Sequence, residues 1–454
     1  MKKALFVHVT ALSVLLFVAA LFFVSCPHGG SGNSLFAVND PPPPPPQKTP
    51  ELTLLVYMAA DNDLERYALE NLKAMESAVY EDMNVLVLFD RSEGYDETDG
   101  DWTDTRLFKV SHDENGSGGI VSKNIDCSLL NLSADTATEL DMANPSVLTK
   151  FIQFAKSDYT ASRYALIIWG HGTGWRYAYS ELCAGSELCT SSELCGVPEP
   201  VEGPLQTDVR AIAIDDKTGS YMSVHDLGSA VEGQQLCVIG FDTCFGSTLE
   251  TLYELKEDCE YVCASPGLTP STGWDYKKLL ESISVSDFSS LEIAKAMEQS
   301  SSAVTTVSDC SEYDSLVSCF EAFAKELSRT ITDSASQKNL FETLMNSTSY
   351  HYSQYPCDLF LDVAGMAEAF TSSENTNLSD ASNALLSALS GSRISVHFIP
   401  LTARNTAAKV HNSDYIKNPA ALDQCAFIKN STWWVPTLNG NSESLLDKIF
   451  YTSF

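Results

Sequence analysis

Val238-Ile239-Gly240-Phe241-Asp242-Thr243-Cys244-Phe245-Gly246 reads as an apolar strand that stops at an acid, with a cysteine two residues further on. Ala165-Leu166-Ile167-Ile168-Trp169-Gly170-His171-Gly172-Thr173-Gly174-Trp175 stops in the same abrupt way, at an imidazole set between glycines. Both runs are continuously apolar rather than alternating. That is the pattern of strands covered on both faces, as in a parallel sheet between helices. Similar runs occur at Leu52 to Met58, Val85 to Phe89, Ala211 to Ile214 and Tyr261 to Ala264. Helical patterns lie between them. Leu64, Leu69, Leu72 and Met75 share one helical face, and Asp61-Asn62-Asp63 supplies an N-cap. The alternation predicts an α/β fold, a mostly parallel central sheet sandwiched between helix layers.

In such sheets ligands bind beyond the carboxyl ends of the strands. Asp61, Asp90, His171, Asp215-Asp216, Asp242 with Cys244, and Ser265 all follow apolar runs. A single acid there is an ordinary turn or cap residue, but a thiol and an imidazole at equivalent strand ends form a chemical pair. A cysteine nucleophile acts as thiolate and needs a base. Of the eight histidines, only His171 ends a long apolar strand and enters a glycine-rich turn. Glycines let backbone N–H groups approach a substrate closely. The amides of Gly172 and Cys244 are thus candidates for an oxyanion hole. Ser247-Thr248-Leu249-Glu250 has capping-box spacing, which sets Cys244 just before a helix N-terminus that favours a thiolate. The alternatives are a buried structural cysteine and, for Asp242, a turn or cap acid.

Net charge is −32, with 60 acids against 28 bases, which argues against a nucleic-acid partner. Lys2 and Lys3 precede an apolar run that ends at Ser25-Cys26, the form of a bacterial secretory signal over residues 1–25. Leu21 to Cys26 resembles a lipobox with Cys26 as the lipidated residue, although Phe23 stands where leucine is usual. The alternative is an uncleaved membrane anchor. Residues 26–50 form a Gly- and Pro-rich tether with six consecutive prolines, Pro41 to Pro46. An exported, lipid-anchored protein held off the membrane follows, and disulfides are open to its 13 cysteines. Ser-Glu-Leu-Cys recurs at 180–183, 186–189 and 192–195 within an insertion over 176–209, which reads as a surface loop rather than a metal site. Beyond residue 300, Tyr313 to Leu327 and Asp380 to Leu389 read as helices, and Arg393 to Ile399 alternates like a strand.

The Trp169-Gly170-His171-Gly172-Thr173-Gly174-Trp175 block and Phe241-Asp242-Thr243-Cys244 resemble the His and Cys blocks of the clostripain family of cysteine peptidases, of the caspase-like clan. Tyr57 to Glu65, Asp215 to Leu227 and Gly273-Trp274-Asp275-Tyr276 agree in order, and Asp358 to Asp362 and Ser395 to Pro400 more loosely. The resemblance runs from about Leu52 to about Trp434. It implies a caspase-like three-layer sandwich, a catalytic domain over 51–300 and a C-terminal region, 301–454, completing or flanking it. It implies a His171 and Cys244 dyad, with Asp242 lining a pocket that selects Arg or Lys before the scissile bond. A carboxylate pairs bidentately with guanidinium and as a point charge with ammonium, so Arg should be preferred. It also implies a zymogen cut between the two blocks, for which Arg176, Arg210 and Lys217 are the basic sites. No cofactor is required. Some relatives use calcium, for which the acidic residues Asp96, Glu97, Asp99, Asp101 and Asp104 are candidates, although the stretch lacks EF-hand order and reads as a solvated loop. Phe245-Gly246 and Ala264 to Leu268 depart from the family pattern, the latter where acids are usual. The rival reading is a non-catalytic surface lipoprotein that keeps the fold as a binding module.

Overall fold

The computed structural model describes residues 49–172, 212–267, 269–330 and 361–391, with 332, 336, 339, 340, 343, 400 and 401. Residues 26–48 of the tether, with Cys26, and Arg176, Arg210, the Ser-Glu-Leu-Cys repeats and the strand expected at 393–399 lie outside these residues. The chain runs β1 (Leu52–Ala60), α1 (Glu65–Glu76), β2 (Met83–Arg91), β3 (Thr105–Lys109), β4 (Lys123–Asn124), α2 (Pro145–Asp158) and β5 (Arg163–Trp169). It continues through β6 (Ala213–Asp215), β7 (Ser220–Met222), α3 (Val224–Val231), β8 (Leu236–Asp242), α4 (Leu249–Leu255) and β9 (Cys259–Ala264). Helices α5 (Tyr276–Ser284) and α6 (Ser290–Ser300) lead to β10 (Thr306–Asp309), followed by α7 (Tyr313–Arg329), α8 (Val363–Glu368) and α9 (Thr376–Gly391).

Eight strands form one sheet in the order β10-β9-β8-β5-β1-β2-β3-β4. The five central strands are mutually parallel, and β3, β4 and β10 are antiparallel additions at the two edges. Alternate residues of each central strand go to opposite helix layers. Leu55, Tyr57, Leu166, Ile168, Ile239 and Phe241 pack with the layer that holds α2, α3, α4 and α7. Leu54, Val56, Met58, Ile167, Trp169 and Val238 pack with α1, α5 and α6. Every residue of β1 and of β8 is buried, which is why neither strand alternates with polar residues. Each fully buried Leu, Ile or Phe adds about 1.5–3 kcal/mol to the core. The architecture is the expected α/β three-layer sandwich with a mostly parallel sheet.

Three local expectations are corrected. Ala211 to Ile214 does not join the main sheet: Ala213–Asp215 pairs antiparallel with Ser220–Met222 in a separate hairpin. Three residues cannot span a central strand, and the Asp216 to Gly219 turn sends the chain straight back on itself, with Gly219 at φ 66°. The N-cap of α1 is Leu64, whose N–H donates to Asn62 Oδ1 at 3.1 Å, so within Asp61-Asn62-Asp63 it is the Asn62 side chain that serves the helix end. Helix α4 is capped by Thr248, whose hydroxyl accepts from Thr251 N–H, rather than by a Ser247–Glu250 box. β10 was not expected from sequence: Thr306-Val307-Ser308-Asp309 is polar, yet all four residues are buried. Tyr313 to Leu327 and Asp380 to Leu389 fall within helices α7 and α9.

Gly240 in β8 leaves room for the next layer. A Cβ there would lie 2.9 Å from Met297 Sδ and 2.9 Å from Trp274 Cη2. Gly240→Val is therefore expected to destabilise the fold by about 1–3 kcal/mol through overpacking, read as a lower urea midpoint at unchanged slope.

Candidate active site

Parallel pairing of β5 with β8 sets the site. Trp169 and Asp242 are register partners at the ends of these strands. His171 and Cys244 each follow two residues later, so the imidazole and the thiol leave the sheet side by side. Both line one cleft with Asp242, Thr243, Leu64, Thr269 and Gly273. Gly170 has φ 141°, and a Cβ on it would sit 2.8 Å from Ala59 O, so the turn into His171 closes against the end of β1. A Cβ on Gly172 would lie 2.5 Å from Cys244 O and 2.8 Å from Thr243 Cβ. The two segments named for the oxyanion hole thus touch through a glycine that admits no side chain.

Asp242 is 4% exposed. Its Oδ2 accepts from Trp274 N–H at 2.9 Å and from Tyr276 Oη–H at 3.0 Å. Gly273, at φ 68°, lets that segment press onto the carboxylate: a Cβ would meet Asp242 Oδ2 and Asn71 Oδ1 at 2.7 Å. Asn71 accepts from Trp169 Nε1–H at 2.8 Å and donates to Thr272 O at 3.0 Å, tying α1, β5 and this loop together. Asp242 Oδ1 is buried without a hydrogen-bond partner. Burial pushes the carboxyl up to about 7, against the smaller lowering by Trp274 N–H and Tyr276 Oη–H. Asp242 also lines the cleft that holds Cys244 and His171.

Cys244 is half-buried, and Thr269 N–H approaches its sulfur at 3.3 Å. The expected helix does not begin at once. Phe245 takes a left-handed turn at φ 56°, with its N–H on Gly267 O, and α4 starts only at Leu249. The thiol is therefore held by the Thr243 to Thr269 contacts rather than by the helix end. Thr269 Oγ1–H donates to Thr243 O at 2.9 Å.

His171 is 5% exposed, and its Nε2 lies 2.6 Å from Asp63 Oδ1. Burial alone would raise the Asp63 carboxyl. The hydrogen bond and charge of His171 outweigh it and hold the group below the ordinary range. Asp63 was read only as part of a helix cap; its position two residues past the acid that ends β1 was the available signal. Asp216, in the β6–β7 turn, also feels the charge of His171, while burial raises it. Lys217, the described member of the predicted cleavage sites, is in the same turn, with Nζ 2.7 Å from Glu139 Oε2 and its backbone N–H on Asp61 Oδ2 at 3.1 Å.

The Asp96 to Asp104 loop does not converge on one point: Asp96 accepts from Thr98, Asp99 pairs with Lys73 at 2.6 Å, and Asp104 pairs with Arg106 at 3.0 Å. Among the described residues, Asp61, Asp90 and Glu139 instead bring carboxylate oxygens within 4.8 Å of one another. Hard oxygen donors of that kind suit calcium, although the Lys217 ammonium already sits on Glu139.

A profile of the Clostripain family matches residues 56–187 and 202–414, which include both the His and the Cys block. Clostripain of Hathewaya histolytica is 28% identical over 257 residues, 52% of this chain and 43% of that protein, so the match spans less than half of that relative's length. Two solved structures are similar in fold. One is an inactive zymogen C11 protease from Parabacteroides distasonis, at 18% identity over 75% of this chain and 82% of that one, TM-score 0.50. The other is a secreted C11 cysteine protease from Bacteroides thetaiotaomicron, at 16% identity over 76% and 85%, TM-score 0.52. With the His and Cys blocks inside the matched residues and at the paired strand ends, the chain belongs to the clostripain family of cysteine peptidases.

Proposed function

We propose that this protein is an exported cysteine endopeptidase that cleaves after Arg, and less readily after Lys, and that is anchored to the membrane through a lipid on Cys26. The observation that carries the specificity is the buried, unpartnered Oδ1 of Asp242 in the cleft that also holds Cys244 and His171. A guanidinium would pair with that oxygen. A neutral side chain would leave it desolvated and unmatched, at a cost of several kcal/mol. The missing acidity at Ala264 to Leu268 leaves Asp242 as the charge that selects the substrate.

In the mechanism, the Cys244 thiol gives its proton to His171, and the sulfur attacks the scissile carbonyl carbon. The amides of Gly172 and Cys244 take the developing oxyanion. His171 passes its proton to the leaving amine as the C–N bond breaks, leaving a thioester. Water then loses a proton to His171, attacks the thioester, and releases the acid and the thiol. A cut at Arg176, Arg210 or Lys217 would free the cleft from an inhibitory connection, as in a zymogen. On the same fold, the Bacteroides thetaiotaomicron protease is secreted and the Parabacteroides distasonis protease is an inactive zymogen, so export and zymogen control are each compatible with it.

Asp242→Asn keeps acceptors for Trp274 and Tyr276 but removes the charge. Turnover of a fluorogenic Arg peptide is expected to fall by about 10²-fold or more, the usual result of truncating one partner of a buried charge pair. Full turnover in that variant would end the specificity assignment. Because the folded-state carboxyl is raised to about 7, its contribution to stability is complete below the ordinary carboxylate range and is lost as pH rises through about 7. Asp242→Asn should flatten that decline in urea titrations, and KM for the Arg peptide should fall in the wild type as pH rises through the same window. Cys244→Ala should abolish both turnover and the self-cut, with N-terminal sequencing as the readout; an identical cut in that variant would rule out self-processing.

A further inference from the structure

We propose that Asp63 is the positioning residue of this site: it orients His171, fixes which ring nitrogen faces the thiol, and stabilises the imidazolium. The inference rests on the reading of Cys244 and His171 as the reacting pair.

The geometry separates Asp63 from its neighbours. Asn62 performs the helix-cap role through Leu64 N–H, and its Nδ2 reaches Ala59 O at 3.1 Å and Ile214 O at 3.4 Å. On the other side, Glu65 is fully buried in an ion pair with Arg91, Oε1 to Nε 2.6 Å. Asp63 is thus held between two immobilised residues, and its own carboxylate is spent on His171. The side chain is 37% exposed against 5% for the imidazole, so Asp63 is the solvent-facing member of the pair.

A carboxylate at 2.6 Å only accepts. Nε2 must therefore carry the proton, and the neutral ring keeps its lone pair on Nδ1. The thiol proton moves from Cys244 Sγ to Nδ1, and the positive charge then spreads to an Nε2–H already facing Asp63. Nothing is lost from Asp63, which stays ionised throughout. Other titratable or charged groups around the ring are Asp216 and Tyr95, whose hydroxyl lies 3.4 Å from Asp216 Oδ2, with Asp61, Asp242 and Cys244. Burial raises the Asp216 carboxyl, and the charge of His171 partly offsets that.

The test uses the full chain and two readouts. One is the rate of iodoacetamide alkylation of Cys244 against pH, followed by peptide mass spectrometry. The other is kcat and KM for an Arg peptide. In Asp63→Asn and Asp63→Ala, alkylation below about pH 7 should slow by about 10²-fold and recover at alkaline pH, as for an ordinary thiol. kcat should drop by about 10²–10⁴-fold with KM within about threefold, as when a histidine is held in the wrong tautomer. Asp63→Glu should restore part of both, and Asp216→Asn should shift neither as far as Asp63→Asn does. An alkylation profile and kcat within twofold of wild type in folded Asp63→Ala would overturn the proposal. So would an equal loss in Asp216→Asn, which would mean diffuse charge rather than a directed bond. If Asp63→Ala does not fold, the isosteric Asp63→Asn decides. Asp63-dependent alkylation without any peptide turnover in the wild type would retain the orientation and reject the peptidase reading.

Discussion

The molecule is organised around a carboxylate that is only half satisfied. Asp242 ends the strand next to the centre of the sheet, with one oxygen bonded to Trp274 and Tyr276 and the other without a partner. Holding an acid there costs folding energy, and the surroundings show how it is borne. Gly273 brings backbone against the side chain, Asn71 locks that segment to α1 and β5, and Gly240 lets Trp274 reach across β8. One helix layer and two strands, β5 and β8, converge on a single functional group. The same contacts that keep Asp242 from relaxing toward water keep the cleft beside it shaped.

The second organising constraint is register. Side chains two residues beyond partnered strand ends emerge together, so the Trp169 and Asp242 pairing brings His171 to the same end of the sheet as Cys244. Slipping β5 against β8 by one residue would reverse the faces of an entire strand. The core on both sides of the sheet forbids it, since Leu166 and Ile168 belong to one layer and Ala165 and Ile167 to the other. The chemistry of the site is therefore protected by hydrophobic packing far from it.

Much of this was legible in the sequence because burial on both faces leaves an unbroken apolar run, and because such a run makes its polar terminus conspicuous. β1, β2, β5, β8 and β9, and the residues after them, follow from that signal alone. β10 escaped it because half of its buried positions are the hydroxyl residues Thr306 and Ser308, which read as polar; Thr306 Oγ1–H donates to Ala264 O at 3.1 Å. The 211–214 run misled because apolar residues also line hairpins that fold onto a core. Asp63 was visible but ambiguous. An acid just before a helix reads as a cap, and only the three-dimensional placement of Asn62 shows that the cap is already supplied. Thr269, whose backbone touches the Cys244 sulfur, carries no sequence signal, since it acts through atoms that every residue has.

The order of strands has a consequence for a molecule nicked between the two blocks. β5 lies between β1 and β8, so the stretch ending at His171 and the stretch beginning at Ile212 form adjoining halves of one continuous sheet. The break would sever the peptide without separating the pieces, which share the hydrogen-bonded seam along β5 and β8. A nicked molecule would sediment as one particle and run as two bands only after denaturation. Its refolding would become second order, so that dilution, harmless to the intact chain, would slow recovery of the cut one.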